Sequence, residues 1–166
     1  MKKEKLIYTD EQLQALTSKW AKDRFITING KISTQTLKYV EEMGEMFDEK
    51  NKIEDVKDAI GDQIVVLSNL ADLNGTNILE CKNNLSCEEL FDTRHSHFLP
   101  TIGKLANKVV REDFAAINPI IGKLVIILEL IAKMHKTTVN ECWNLAYDEI
   151  KDRKGKLLEN GNFVKE

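Results

Sequence analysis

The chain has 166 residues, enough for one domain with a substantial core, and 42% of them are hydrophobic against 31% charged, the balance of a globular protein. A formal net charge of −3 argues against a general nucleic-acid binder. Two prolines and eight glycines, among many Leu, Ile, Lys and Glu, favour an all-α fold. The three cysteines, Cys81, Cys87 and Cys142, lack C-x-x-C spacing and read as reduced thiols of a cytoplasmic protein, or of one in a host's cytoplasm if the source is viral. No signal peptide is expected at the N-terminus. The apolar stretch from Pro119 to Met134 is interrupted by Lys123 and Glu129, which makes it a core helix rather than a membrane span.

In chain order, Asp10 is expected to cap a first helix through about Ala21, with Leu13, Leu16 and Trp20 on one face. Asn29-Gly30 marks a turn, and Ser33 or Thr34 caps a second helix whose apolar side carries Leu37, Val40, Met43, Met46 and Phe47. A hairpin at 48–51 leads to a third helix from roughly Ile53 to Leu73, closed by Asn74-Gly75. Short helices are expected from Thr76 through Cys81 and near Cys87. A break at 94–100, containing Pro100, precedes a helix from Thr101 to about Arg111. Pro119 suits the first position of the apolar helix, and Thr137 or Thr138 caps a last long helix ending near Lys154-Gly155. The tail from Asn160 has no helical period.

Acidic residues carry the chemistry. In a helix, Glu42 and Glu45 (i, i+3) share one face and Asp58 and Asp62 (i, i+4) share another. Folding the two helices antiparallel sets the clusters facing, with no basic residue at those positions to neutralise them. Clustered carboxylates on partly buried faces are costly unless a cation joins them, and oxygen-only ligands suit Mg²⁺, or Mn²⁺ in its place.

Residues 61–83 also align without a gap on 122–144. Gly61, Leu67, Ala71, Thr76, Glu80, Cys81 and Asn83 recur as Gly122, Leu128, Ala132, Thr137, Glu141, Cys142 and Asn144. Upstream, Gly44-Glu45 resembles Gly103-Lys104 with a slightly different offset. Where the first copy has Glu45 and Asp62, the second has Lys104 and Lys123, so it cannot make the same metal site. The expected architecture is a four-helix-bundle core of two duplicated hairpins with additional short helices. It forms a single domain over 1–166: an acidic half at about 31–81, a degenerate repeat at about 101–144 that serves as scaffold, and a basic C-terminal segment at 145–166.

Glu42-x-x-Glu45 on one helix, followed by an acidic pair ending in Gly61-Asp62 on the next, resembles the all-α nucleoside triphosphate pyrophosphatases, which include MazG-like proteins and the dimeric dUTPases. The usual signature is E-x-x-E followed by E-x-x-D; here Ala59 stands where the second pair would begin, and Asp58 substitutes. The likeness extends to Trp20-Ala-Lys-Asp-Arg24, to Gln35-x-x-Lys38, and to Ala146-Tyr-Asp-Glu-Ile-Lys151-Asp-Arg153-Lys154-Gly155-Lys156 with its Asn-Gly-x-Phe-Val-Lys-Glu end. That combination is similar to compact, phage-type MazG-like proteins and covers about two thirds of the chain. The resemblance implies hydrolysis of a nucleoside triphosphate to the monophosphate and pyrophosphate with Mg²⁺. It makes Glu42, Glu45, Asp58 and Asp62 the metal ligands and Glu41 the catalytic base or water-orienting group. Lys38, Lys151, Arg153, Lys154 and Lys156 become phosphate-binding cations, and Trp20 or Tyr147 a platform for the base. Proteins of this kind commonly form dimers or tetramers, so a homo-oligomer is one expectation. The internal duplication could instead supply the partner helices within one chain, and the apolar Ile120 to Ile131 helix could equally build a subunit interface. No stable nucleic-acid partner and no membrane are expected, from the charge balance and the interrupted apolar stretch. Two alternatives stand beside it: a narrower dUTP, dCTP or alarmone hydrolase, and a catalytically silent helical interaction module.

Overall fold

The structure, a computed structural model, describes residues 7–48, 52–91 and 93–166; the hairpin expected at 48–51 lies largely outside the described residues. It is an all-α fold. The helices are α1 (Asp10–Asp23), α2 (Ile26–Asn29), α3 (Ile32–Met46), α4 (Ile53–Leu73), α5 (Ile78–Asn83), α6 (Cys87–Phe91), α7 (Phe98–Val110), α8 (Ile117–Met134) and α9 (Val139–Ile150). A short antiparallel hairpin, β1 (Gly155–Leu157) and β2 (Phe163–Lys165), ends the chain.

Local chemistry sets most of the boundaries. Thr9, not Asp10, caps α1: its hydroxyl accepts from the Gln12 N–H while the Gln12 side chain accepts from the Thr9 N–H. Helix α4 spans the expected residues, and Gly75 beyond it takes a positive φ of 76°. Thr138 caps α9 through the Glu141 N–H. Two prolines lie inside helices rather than at their edges, because N–H groups of a first turn have no intrahelical partner. Pro100 is the third residue of α7 and Pro119 the third of α8. The last helix stops at Ile150, short of the expected Lys154-Gly155, and the following segment turns into the hairpin.

The largest departure is the face of α3. Leu37, Val40 and Phe47 were expected inside but are exposed, Leu37 at 71% and Phe47 at 59%. Gln35, Thr36, Tyr39, Glu42 and Met46 point inward instead. The helix is rotated so that its polar, cavity-lining residues meet α4, a choice that apolar periodicity alone cannot register. By length and composition Phe114–Met134 could cross a membrane; here Ile117, Ile121, Leu124 and Leu128 of this segment are buried in the core, while Met134 at its end is exposed.

The two halves interlock reciprocally. Helix α3 contacts α4 and α7, and α8 contacts α7 and α4, while α4 also packs on α9 and α8 on α5. Each half therefore lends its short last helix to the other. A Cβ on Gly61 would meet the Cys142 carbonyl oxygen at 2.4 Å, and one on Gly122 would meet the Cys81 carbonyl oxygen at 2.3 Å. Gly61 aligns with Gly122 and Cys81 with Cys142, so the two contacts are the same contact made twice. Tyr39 and Phe98, equivalent when Gly44 is aligned with Gly103, meet edge to face with centroids 6.4 Å apart. Thr76 donates to Glu80 at 2.9 Å, and its counterpart Thr137 donates to Glu141 at 2.8 Å. These pairings are what an approximate two-fold relation between the halves produces.

Such close crossings predict opposite outcomes for glycines that are identical in sequence terms. Gly61→Ala and Gly122→Ala should each destabilise the protein in urea denaturation by about 1–3 kcal/mol, the cost of overpacking. Gly44→Ala and Gly103→Ala, where a Cβ meets nothing within 4 Å, should be neutral or stabilising by up to about 1 kcal/mol, from helix propensity.

Candidate functional site

Helices α3 and α4 run antiparallel, as Gln63 Nε2 reaching Met46 Sδ at 3.4 Å and Asn69 Nδ2 donating to Gln35 Oε1 at 3.2 Å require. Along their shared groove, with the end of α9 and strand β2 closing it, lies a cavity of about 260 Å³. Glu42, Glu45 and Asp62 all line it, together with Lys38, Arg153 and Trp20. Three of the four expected ligands, two of the expected phosphate cations and the expected aromatic platform thus share one space.

The remaining expected residues fall elsewhere. Asp58 lines an adjacent cavity, also about 260 Å³, with Glu45, Asp48, Asp55 and Ala59, so Glu45 is the carboxylate common to both. Glu41 is outside the lining; its carboxylate lies 3.1 Å from Lys38 Nζ and is largely exposed. Lys151 pairs with Asp148 at 2.6 Å, and neither it nor Lys154 lines the cavity. Lys156 belongs to a different depression beside Asp23, Arg24 and Gly155. Tyr147 packs edge to face on Tyr8, away from the site.

Lys38 corrects the expectation of an unneutralised acid nest. Its ammonium sits 2.6 Å from Glu42 Oε1 as well as on Glu41, so a lysine one turn back along α3 already balances part of the charge. Burial works against the charged lysine, but hydrogen bonds to Glu42 and Glu41 outweigh it and raise the Lys38 pKa. For Glu42, 3% exposed, burial raises the carboxyl pKa, and the pull of Lys38 only partly offsets this. Asp62 is pushed up to about 7, first by burial and then by the nearby charges of Glu42, Asp58 and Glu149, with Arg153 pulling the other way. Asp58 is raised too, by partial desolvation and by Glu149 and Glu45.

Several lining residues have no such role in the sequence reading. Glu149, near the end of α9, pairs with Arg153 and brings a further carboxylate to the cavity. Lys165 and Phe163 arrive on β2, and Phe163 meets Trp20 edge to face at 6.0 Å. Gln35 and Asn69 complete the polar wall. A signal for these two exists in the sequence: Gln35 precedes Glu42 by two turns, and Asn69 follows Asp62 by two turns inside an apolar run. Arg24 is the strut behind the wall. It donates to the Arg153 carbonyl oxygen at 2.8 and 2.6 Å and stacks over Trp20, 5.0 Å from the ring centroid.

Whether these residues suit a divalent cation depends on their donor atoms. Glu42 Oε2 and Asn69 Oδ1 are buried with no hydrogen-bond partner, and Trp20 Nε1 is an unpartnered donor; all three belong to residues lining this cavity. An all-oxygen set with unsatisfied acceptors and a carboxyl held near neutrality fits Mg²⁺ or Mn²⁺. Among the described residues, however, no three carboxylate, histidine or cysteine side chains already converge closely enough to hold an ion, and Lys38 occupies Glu42.

The raised Asp62 pKa fixes the sign of a pH effect. The folded, metal-free protein holds this proton more tightly than the unfolded chain, so its contribution to stability is greatest below about pH 4 and falls as pH rises through about 7. Asp62→Asn should flatten that decline in thermal unfolding measured with EDTA between pH 5 and 8; an unchanged slope would mean the carboxyl titrates normally.

Compared with models of known protein families, with curated proteins and with solved structures, the chain matches none.

Proposed function

We propose that this protein is a Mg²⁺-dependent nucleoside triphosphate pyrophosphohydrolase of the MazG-like type, converting an NTP or dNTP and water to the monophosphate and pyrophosphate. The observation that carries the reading is the single cavity in which Glu42, Glu45 and Asp62 meet Lys38, Arg153 and Lys165 beside Trp20. Acids alone would repel a polyphosphate, and cations alone would not need buried carboxylates. Their combination suits a substrate that arrives with metal.

Glu42, Glu45 and Asp62 would hold Mg²⁺, with Asp58 and Glu149 adding to the negative field around them. When bound, the ion supplies Lewis-acid polarisation of a phosphoryl group and of the attacking water. Lys38, Arg153 and Lys165 offset the charge that develops on phosphate oxygens, and Arg153 is held in place by Glu149. Attack at the α-phosphorus forms a bond to the water oxygen and breaks the bond to the bridging oxygen, so that pyrophosphate leaves. The water's proton passes to a lining carboxylate. Glu41 acts from outside the lining, sharing Lys38 with Glu42, which favours a positioning role over that of base. Trp20 and Phe163 form the apolar wall against which a nucleobase packs, and the shape of that wall would decide between broad and dUTP- or dCTP-selective action.

Self-association is the companion proposal, favoured by the exposed Leu37 and Val40 of α3 and Leu99 and Val110 of α7. A dimer or tetramer is expected in light scattering, and a monomer at high concentration would remove it.

The functional test is pyrophosphate release from a panel of nucleoside and deoxynucleoside triphosphates with Mg²⁺. Glu45→Gln and Asp62→Asn should each lower kcat by about 100-fold or more, as loss of charge at a reacting phosphoryl centre does, with circular dichroism unchanged. No turnover on any nucleotide would favour a silent interaction module, and full activity in both variants would place the chemistry elsewhere.

A further inference from the structure

The second half of the molecule keeps a cavity at the place equivalent to the acidic one. Between α6, α7 and α8 lies a space of about 280 Å³, close to the 260 Å³ of its counterpart. It is lined by His97, Thr101, Lys104 and Lys123, with Thr93 and Glu89 at its edge. Carrying the Gly44–Gly103 alignment along α3 and α7 sets Lys38 against His97, Glu42 against Thr101 and Glu45 against Lys104. The gapless alignment of α4 on α8 sets Asp62 against Lys123 and Val66 against Ile127, both of which also line their respective cavities. Five lining positions thus correspond, and two of them, Glu45 with Lys104 and Asp62 with Lys123, exchange acid for lysine.

A half that served only as scaffold would have no reason to keep a polar cavity here. Filling it with apolar side chains would add burial, and two lysines facing one space repel each other. We propose that this cavity binds a phosphoryl anion directly, without a metal: a free phosphate-type ion or the phosphate of a nucleotide. Lys104 forms no ion pair among the described residues. Among the described residues Lys123 pairs with Glu89 at 3.3 Å, with both side chains about one-third exposed. The other Glu89 oxygen accepts from the Ser86 N–H at 3.0 Å, which fixes that carboxylate at the rim. The hydroxyls of Thr93 and Thr101 are committed to the Glu89 and His97 carbonyls, at 2.7 and 2.6 Å, so binding falls to the two ammonium groups and the imidazole. One acid against two lysines leaves a small positive balance, enough for a compact anion and too little for a metal-free triphosphate.

The inference does not depend on hydrolysis at the acidic site, and its test avoids activity altogether. The full-length protein in EDTA is titrated with inorganic pyrophosphate and, in parallel, with a nucleoside monophosphate, by calorimetry and by ¹⁵N-edited NMR. Saturable binding is expected, with amide shifts concentrated in residues 97–104 and 123–127. Lys104→Gln and Lys123→Gln should each weaken it about tenfold or more, whereas Glu45→Gln should leave it unchanged. Saturation by pyrophosphate alone identifies a free ion as the ligand, and saturation by the monophosphate identifies a nucleotide. Absence of binding at millimolar probe, shifts confined to the Arg153 and Lys165 side, or affinity unaffected by both lysine variants would overturn the proposal.

Discussion

The backbone-on-backbone crossings at Gly61 and Gly122 organise everything else in this molecule. Each brings a long helix so close to a carbonyl of the opposite half that no side chain fits between them. Because α4 is pressed onto α9 in this way, Asp62, next to Gly61 in sequence, is carried under the far end of α9, where Glu149 and Arg153 emerge. The electrostatics of the acidic cavity therefore follow from a steric contact. A wider crossing would admit water around Asp62, weaken its desolvation and let its carboxyl ionise in the usual range.

That desolvation has a direction. Glu42 is raised by burial and by Glu45 and Glu41, and Asp62 by burial and by Glu42, while Lys38 pulls the first down and Arg153 the second. A buried carboxylate with an unpartnered oxygen costs free energy that a binding partner can recover. Under the proposed function a divalent cation would recover it at the acids and phosphate oxygens at Lys38 and Arg153, so that the two parts of a metal–polyphosphate complex would favour each other. This is why the balance of charges around the cavity says more than the acid count that first draws attention in the sequence.

Much of this was readable from residues alone, and the failures share a cause. The limits of α4, the Thr138 cap and the recurrence of Gly61 and Cys81 as Gly122 and Cys142 are local or periodic signals. Glu42, Glu45 and Asp62 meet because their spacings obey helical geometry. The inward face of α3 was misread because Leu37, Val40 and Phe47 look like core, while the true inward residues include the polar Gln35, Thr36 and Glu42, of which Gln35 and Glu42 line a cavity. Glu149 was given no role because its place depends on the packing of α9 against α4, and Lys165 because it arrives on a β-hairpin that returns the C-terminal segment to α3. Thr34 Oγ1 donates to the Asn160 carbonyl oxygen at 2.6 Å across that return, a tertiary contact no local pattern announces. Pro100 looked like a break because its tolerance within a first turn depends on where the helix begins.

The reciprocal construction also constrains how the two halves can differ. Residues at the mutual contacts must satisfy both partners at once, and there the copies agree: Gly61 with Gly122 and Cys81 with Cys142. Residues facing the two cavities do not form the glycine crossings themselves and are released from that agreement. Acid can become lysine at Glu45/Lys104 and Asp62/Lys123 without disturbing the crossings. A fold built this way separates the positions that hold it together from those that meet a ligand. The lysine-bearing cavity of α7 and α8 is thus a place where the scaffold is free to carry a different ligand chemistry from that of the acidic cavity.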